Sequence, residues 1–177
     1  MNENKTNINF FPGHMAKTRR EIGEKLKLID IVYEVVDARI PYSSRIVDID
    51  DLIKDKPKVI IMTKKDLCDI DKTNKWIRYY EELGYKVFLV DLINDKSLGK
   101  LFDMTDSVLS ELNERREEKG LLQRKYRALI MGVPNVGKST LINKITGKKA
   151  TTVGDKPGVT KTISWIRING YSRYIMA

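Results

Sequence analysis

Residues Ala128 to Gly147 read ALIMGVPNVGKSTLINKITG. Ala128 to Met131 form a short unbroken apolar run, the pattern of a strand buried on both faces. Gly132 and Gly137 punctuate the next segment, and Leu141, Ile142 and Ile145 then recur at helical spacing. The stretch therefore predicts strand, loop and helix in succession. Its loop, Gly132-Val133-Pro134-Asn135-Val136-Gly137-Lys138-Ser139, matches G-x-x-x-x-G-K-[ST]. The glycines let the backbone turn tightly and aim successive N–H groups at phosphate oxygens. The following helix turns its partial positive end to the same point. Lys138 adds a full charge, and the Ser139 hydroxyl is placed for Mg²⁺, which keeps most of its waters and takes few protein ligands.

Outward from this loop, strands alternate with helices. Strands are predicted over Ile31–Val36, Val59–Met62, the KVFLVD stretch from Lys86 and the YRALIM stretch from Tyr126. Helices are predicted in the IDDLIKD stretch, over KTNKWIRYYEELG with Trp76, Tyr80 and Leu83 on one face and Gly84 as its cap, and from Ser97 to about Gly120 with Leu98, Leu101, Phe102, Leu109 and Leu112 as its stripe. The segment MAKTRREIGEKLKLI has helical spacing too, with Ile22, Leu26 and Ile29 among basic residues. TISWIRING and SRYIM read as two late strands joined by an Asn169-Gly170 turn. Continuous apolar strands alternating with helices define an α/β fold with a doubly wound, mostly parallel sheet, whose ligands sit at the carboxyl ends of the strands. One domain is expected over 1–177, with halves 1–113 and 126–177 and a basic link over 114–125.

Composition narrows the setting. The 177 residues suffice for one domain with a sizeable core. No apolar run approaches the roughly 20 residues that span a bilayer, and the N-terminal residues show no basic region followed by an apolar one. Cys68 is the only cysteine, which excludes an internal disulfide and fits a reducing cytoplasm. Lysine plus arginine exceed aspartate plus glutamate by 33 to 24, a net charge of +9. Such a surface favours polyanionic partners, nucleotides, RNA, ribosomes or acidic lipid among them.

A second motif follows the strand at Val59. Thr63-Lys64-Lys65-Asp66 resembles the guanine-reading N-K-x-D, with Thr63 in place of asparagine. A carboxylate at Asp66 can accept both the N1–H and the exocyclic amine of guanine. Adenine offers neither and would leave it unpaired, which is how such sites reject the wrong base. The stem of Lys64 can cover the base face. Here the base motif precedes the phosphate loop, the reverse of the order in ordinary guanine-nucleotide switch proteins. Because domain termini often lie close together, a chain can be cut and rejoined without changing its sheet.

With that order, the segments Phe11-Pro12-Gly13-His14-Met15-Ala16-Lys17, Asp37-Ala38-Arg39-Ile40-Pro41, Ser43-Ser44-Arg45, the base motif, Gly132 to Thr140 and Lys156-Pro157-Gly158-Val159-Thr160 run through nearly the whole chain. In this combination the sequence resembles the circularly permuted GTPases of the YlqF/YawG class. The resemblance implies a P-loop GTPase domain that binds GTP and GDP with Mg²⁺ and serves assembly of the large (50S) ribosomal subunit in the cytoplasm. Its implied partners are the large-subunit precursor and its rRNA, with no DNA, no membrane span and no oligomer expected. Carried over by position, Asn135, Val136, Gly137, Lys138, Ser139 and Thr140 hold the phosphates, and Thr63, Lys64, Lys65 and Asp66 hold guanine. Thr160 corresponds to the switch I threonine that closes on Mg²⁺, and Asn135 to an asparagine associated with K⁺. His14 corresponds to a histidine proposed to act in place of the usual catalytic glutamine.

Two departures from the family pattern stand out. The second base-contact loop reads VDLINDKSLG, which brings Asp91 and Leu92 to the base; an N–H of Leu92 can reach guanine O6, whereas an acidic Asp91 is unexpected there. The Asp-x-Pro-Gly of switch II is expected after RYIMA, where the chain stops, and Asp155-Lys156-Pro157-Gly158 lies too close behind the phosphate loop to take its place. A fragment or a degenerate copy would both read this way. Three functions therefore stay open: GTP hydrolysis coupled to large-subunit maturation, a truncated module that holds GTP or rRNA without turnover, and an ATPase, against which Asp66 argues.

Overall fold

The computed structural model describes residues 23, 26–54, 56–96, 98–121, 126–147, 165–167 and 173–176, the last two segments as backbone. The elements are β1 (Ile31–Asp37), α1 (Ile49–Ile53), β2 (Lys58–Thr63), α2 (Ile70–Glu82), β3 (Lys86–Leu89), α3 (Gly99–Glu117), β4 (Tyr126–Met131), α4 (Lys138–Thr146), β5 (Trp165–Arg167) and β6 (Arg173–Met176). Short 3₁₀ turns occupy Leu26–Leu28 and Lys65–Leu67. The strands form one sheet in the order β3-β2-β1-β4-β6-β5. All neighbouring pairs are parallel except β5 with β6. Trp165 pairs with Met176 and Arg167 with Tyr174, the hairpin pairing predicted around Asn169-Gly170, although those two turn residues lie outside the described set.

Alternation along β1 explains the two layers. Ile31, Tyr33 and Val35 face the side covered by α3 and α4, where they meet Val59, Ile61, Leu101, Leu109, Leu141 and Ile142. Val32 and Val36 face the other side, against Ile49 and Ile53 of α1 and Tyr80 of α2. The apolar strands are buried because both faces are covered. Tyr33 keeps its hydroxyl satisfied in this core by a 2.7 Å hydrogen bond with Thr105 Oγ1 of α3. Strands from both halves of the sequence share the sheet, with β1 and β4 adjacent.

Capping sets the helix ends. The Asp69 side chain accepts from Lys72 N at the start of α2. At its end Gly84 has φ +86°, Gly84 N donates to Glu81 O, and Tyr85 N donates to Tyr80 O. This is the paired hydrogen-bond pattern of a glycine-terminated helix. Two residues of the predicted apolar stripes depart from them: Leu83 is 56% exposed and Leu112 38%. Leu83 is the cap residue just after α2, and Leu112 lies in the C-terminal third of α3. Helix α3 continues to Glu117, so residues 114–117 of the expected link are helical. The predicted segment MAKTRREIGEKLKLI lies largely outside the described residues.

One polar cluster is built into the sheet. Glu34 on β1 is fully buried and takes a bidentate pair from Arg45 at 3.0 and 2.9 Å. Lys58 of β2 reaches the same carboxylate at 3.0 Å and Asp50 at 2.6 Å. Buried charge is costly without partners, and these pairs tie the loop after β1 to the strands that carry the site.

Candidate nucleotide site

The phosphate loop leaves β4 at Gly132 and enters α4 at Lys138. A Cβ at Gly132 would stand 2.5 Å from Val35 O and 2.9 Å from Val136 Cγ2, so the loop passes β1 at a distance only glycine allows. Asn135 and Gly137 have φ +66° and +96°. These left-handed residues bend the chain back on itself, and Gly137 O accepts Leu141 N to open the helix. Ser139 and Thr140 occupy the first turn of α4, half-buried, while Val136 is buried. Lys138 folds over its own loop, its ammonium donating to Val133 O at 2.8 Å. Burial lowers the Lys138 pKa to about 8, because taking an ammonium out of water disfavours its charged form.

The base motif stands at the end of β2, with β1 between it and β4. Thr63 is fully buried, and its hydroxyl lies 2.6 Å from Val136 O and 3.2 Å from Val36 O. In this position it joins β2 to the phosphate loop, and its side chain is enclosed by that junction. Lys64 adopts φ +60° and donates to Asn135 O and to Asp37 Oδ2, both at 2.8 Å. Lys65 and Asp66 lie exposed in the 3₁₀ turn that follows. Among the described residues the Asp66 carboxylate has no hydrogen-bond partner, so it is open to a donor ligand.

Asp91 and Leu92 lie beside the loop in different roles. The Asp91 carboxylate accepts Ile93 N at 2.8 Å, Asn94 N at 2.9 Å and Asn94 Nδ2 at 2.6 Å. Hydrogen bonds from Asn94, then from the Ile93 amide, lower its pKa. The acidic group that looked out of place next to a base is therefore engaged in closing its own turn. Leu92 lies against the phosphate loop: its Cδ1 is 3.3 Å from where a Gly137 Cβ would be. Leu92 O accepts Lys144 Nζ at 2.9 Å, fixing this turn to α4. His14 and Thr160 lie outside the described residues.

Sequence reading assigned no role to Asp37, the last residue of β1. Its side chain is 5% exposed, and it holds both Arg39 and Lys64. Burial alone would raise its pKa, but hydrogen bonds from Arg39 and Lys64 hold it well below the usual carboxylate range. The available signal was an aspartate closing an apolar strand; in the sheet it pairs with Thr63.

The glycine contacts, the left-handed loop and the helix start fit a polyphosphate. Among the described residues no group of three or more His, Cys, Asp or Glu side chains gathers to hold a metal. The Ser139 hydroxyl, in the first turn of α4, is the oxygen type that Mg²⁺ takes beside phosphate and water. A phosphate loop on a central parallel strand, and a guanine-type motif that stands two strands away yet earlier in the chain, together define a circularly permuted P-loop nucleotide-binding domain.

Comparison with known proteins agrees. Residues 127–177 match the family described as 50S ribosome-binding GTPase. The chain is 47% identical over 162 residues to ribosome biogenesis GTPase A of Priestia megaterium, covering 91% of this chain and 56% of that protein. It is 45% identical over 161 residues to the protein of the same name from Bacillus licheniformis, covering 91% of this chain and 57% of the relative. The crystal structure of GNP-bound YlqF from T. maritima matches with a TM-score of 0.61 at 29% identity, over 90% of this chain and 56% of that one. The chain is similar to the circularly permuted GTPases of the YlqF class. It spans a little over half the length of these relatives.

Proposed function

We propose that this chain is the nucleotide-binding domain of a GTPase that acts in assembly of the large ribosomal subunit, binding GTP and GDP with Mg²⁺. The observation that carries this reading is the junction of the two motifs: Thr63 and Lys64, which open the base motif, both reach backbone carbonyls of the phosphate loop. Base and phosphate recognition thus share one rigid support. Asp66 would read the guanine edge, Lys64 would cover the base, and Lys65 would line the approach. A backbone N–H of Leu92 would reach O6, with Asp91 shaping the turn that presents it.

At the other end, loop N–H groups from Asn135 to Thr140 would surround the β-phosphate. Lys138 would exchange Val133 O for phosphate oxygens and recover a full charge in doing so. Bound Mg²⁺, held by Ser139 and Thr160, would screen the phosphate charge; K⁺ at Asn135 would add to that screening. Phosphoryl transfer needs mainly positioning and charge stabilisation. The role proposed for His14 is to orient the attacking water. The basic surface would meet rRNA of the subunit precursor, in the cytoplasm; no helix among the described residues is long and apolar enough to cross a membrane.

Direct titration with GTP, GDP and ATP tests the reading, followed by cosedimentation with large-subunit precursors in each nucleotide state. Tight guanine-nucleotide binding that Asp66→Ala abolishes is the expected result. Equal affinity for ATP, or an Asp66→Ala protein that still prefers GTP, would sink it.

A further inference from the structure

Two cations flank the exposed carboxylate that reads the base. Lys64 lies two residues before Asp66. Arg39, 46% exposed on its side chain, is held more basic first by its hydrogen bond to Asp37 and also by the charge of Asp66. Both cations are engaged by the buried carboxylate of Asp37; once freed, either would be drawn to the exposed Asp66 carboxylate. Arg39 makes four hydrogen bonds to Asp37: its amide to Oδ1 at 3.0 Å, Nε to Oδ1 at 3.0 Å and to Oδ2 at 3.3 Å, and Nη2 to Oδ2 at 2.7 Å. Lys64 Nζ donates to Oδ2 at 2.8 Å.

The second bond of Lys64 extends this grip to the phosphate loop. The same ammonium reaches Asn135 O at 2.8 Å. Among the described residues four that are not glycine have positive φ, namely Asp48, Lys54, Lys64 and Asn135. Two of the four are the two ends of this one hydrogen bond. Backbone held in sparsely populated regions persists where the surroundings over-determine it, and here Asp37 is the fixed point of those surroundings. It is buried, it closes a central strand, and its own amide is tied to Ser44 Oγ at 2.9 Å.

We infer that Asp37 is a positioning residue for nucleotide recognition: by holding Arg39 and Lys64 it keeps the Asp66 carboxylate open to guanine and fixes the base motif against the phosphate loop. The inference rests on the guanine reading of Asp66. It assigns a function to Asp37-Ala38-Arg39, a segment distant in sequence from both nucleotide motifs.

The test uses the full chain, a sugar-labelled fluorescent GDP, and inorganic tripolyphosphate as competitor. Loss of a hydrogen-bonded charge weakens binding by about tenfold, so Asp37→Asn should lose about that much affinity for GDP. Tripolyphosphate, which has no base, should compete within about twofold of its wild-type strength. Arg39→Ala alone should bind GDP within about twofold of wild type, and adding it to Asp37→Asn should restore part of the lost affinity by removing one of the two cations freed to mask Asp66. A purely structural Asp37 predicts equal losses for GDP and tripolyphosphate, and no rescue. Either of those results, or normal GDP binding by Asp37→Asn, overturns the inference. If Asp37→Asn does not fold, the charge-balanced Asp37→Asn/Arg39→Gln protein decides: GDP affinity within about threefold of Arg39→Gln alone supports the masking argument, and a tenfold deficit refutes it. Asp66→Ala, run in parallel, separates the two levels. If it keeps a preference for GTP over ATP, the guanine reading fails; if it loses that preference while Asp37→Asn is neutral, only the role of Asp37 fails.

Discussion

Thr63 offers the sharpest test of how the two motifs are joined. Its hydroxyl lies 2.6 Å from Val136 O inside a fully buried site. Thr63→Val removes the donor and keeps the shape. A buried carbonyl that loses its donor costs about 1–3 kcal/mol, so urea unfolding should shift to a lower midpoint by that amount with an unchanged slope. The phosphate loop would lose its tie to β2, and affinity for both GDP and tripolyphosphate should fall, by about fivefold at the low end of that range and about 150-fold at its high end. Here the loss includes the base-free competitor, because the broken bond reaches the loop itself. Thr63→Ser keeps the hydroxyl and gives up one methyl, about 1 kcal/mol of packing. It should therefore be destabilised to a similar degree yet bind GDP within about twofold of wild type. A Thr63→Val protein that binds like wild type, or a Thr63→Ser protein as weak as Thr63→Val, would show that the hydroxyl does not hold the loop.

Gly132→Ala forces a Cβ to within 2.5 Å of Val35 O; nucleotide binding should drop below detection in a fluorescence titration, with a lowered Tm, and unchanged binding would mean the loop can shift at no cost. Asp66→Asn should gain affinity for xanthine nucleotides relative to guanine ones, because the new amide can donate to the xanthine C2 carbonyl; an unchanged ratio counts against Asp66 as the base reader. Because Asp37 is held well below the usual carboxylate range, its folded pKa lies under its unfolded one, and its contribution to stability is present above about pH 4 and lost as pH falls through the folded value. The stability difference between wild type and Asp37→Asn should thus be flat from about pH 5 to 7 and shrink under acid; a difference that grows under acid contradicts the pairing. Binding to large-subunit precursors should weaken steeply with added salt as counterions are released from rRNA phosphates, and Arg115→Ala/Arg116→Ala should make the slope shallower; a flat salt response points to protein contacts.

Much of this fold is legible because its signals are local. The strands β1, β2 and β4 are short apolar runs between polar turns, and each matches its prediction within about one residue. The phosphate loop is a fixed spacing whose glycines the geometry demands at Gly132 and Gly137. What sequence reading missed depends on side chains far apart in the chain. Thr63 read only as the first residue of the base motif, and 73 residues separate it from the carbonyl it meets. Asp91 looked like an anion facing a base, but its partners are the amides two and three residues on. Asp37 has no spacing rule that links it to Lys64, 27 residues away. The apolar stripes of α2 and α3 overran at Leu83 and Leu112, because periodicity alone does not say which turns of a helix are covered.

The register of the sheet explains why permutation leaves such a site intact. Glu34 pairs with Met131 across β1 and β4, and Asp37 pairs with Thr63 across β1 and β2. The residues just past those rows are Gly132 and Lys64. Parallel strands all end at one edge, so the phosphate loop, the base motif and Asp37 arrive there whatever the order in which the chain visits them. Contact between the motifs then depends on lateral spacing alone, and one strand, β1, fills it. That strand ends in the only acidic side chain on these two register rows that can reach across to the base motif: Asp37 meets Lys64 on one side, and Lys64 meets Asn135 on the other. Connectivity can be rearranged around this edge, but a one-residue slip of β1 against β2 would turn Asp37 to the opposite face and break the chain of contacts. The site therefore depends on register and strand order, not on the order in which the chain visits the strands.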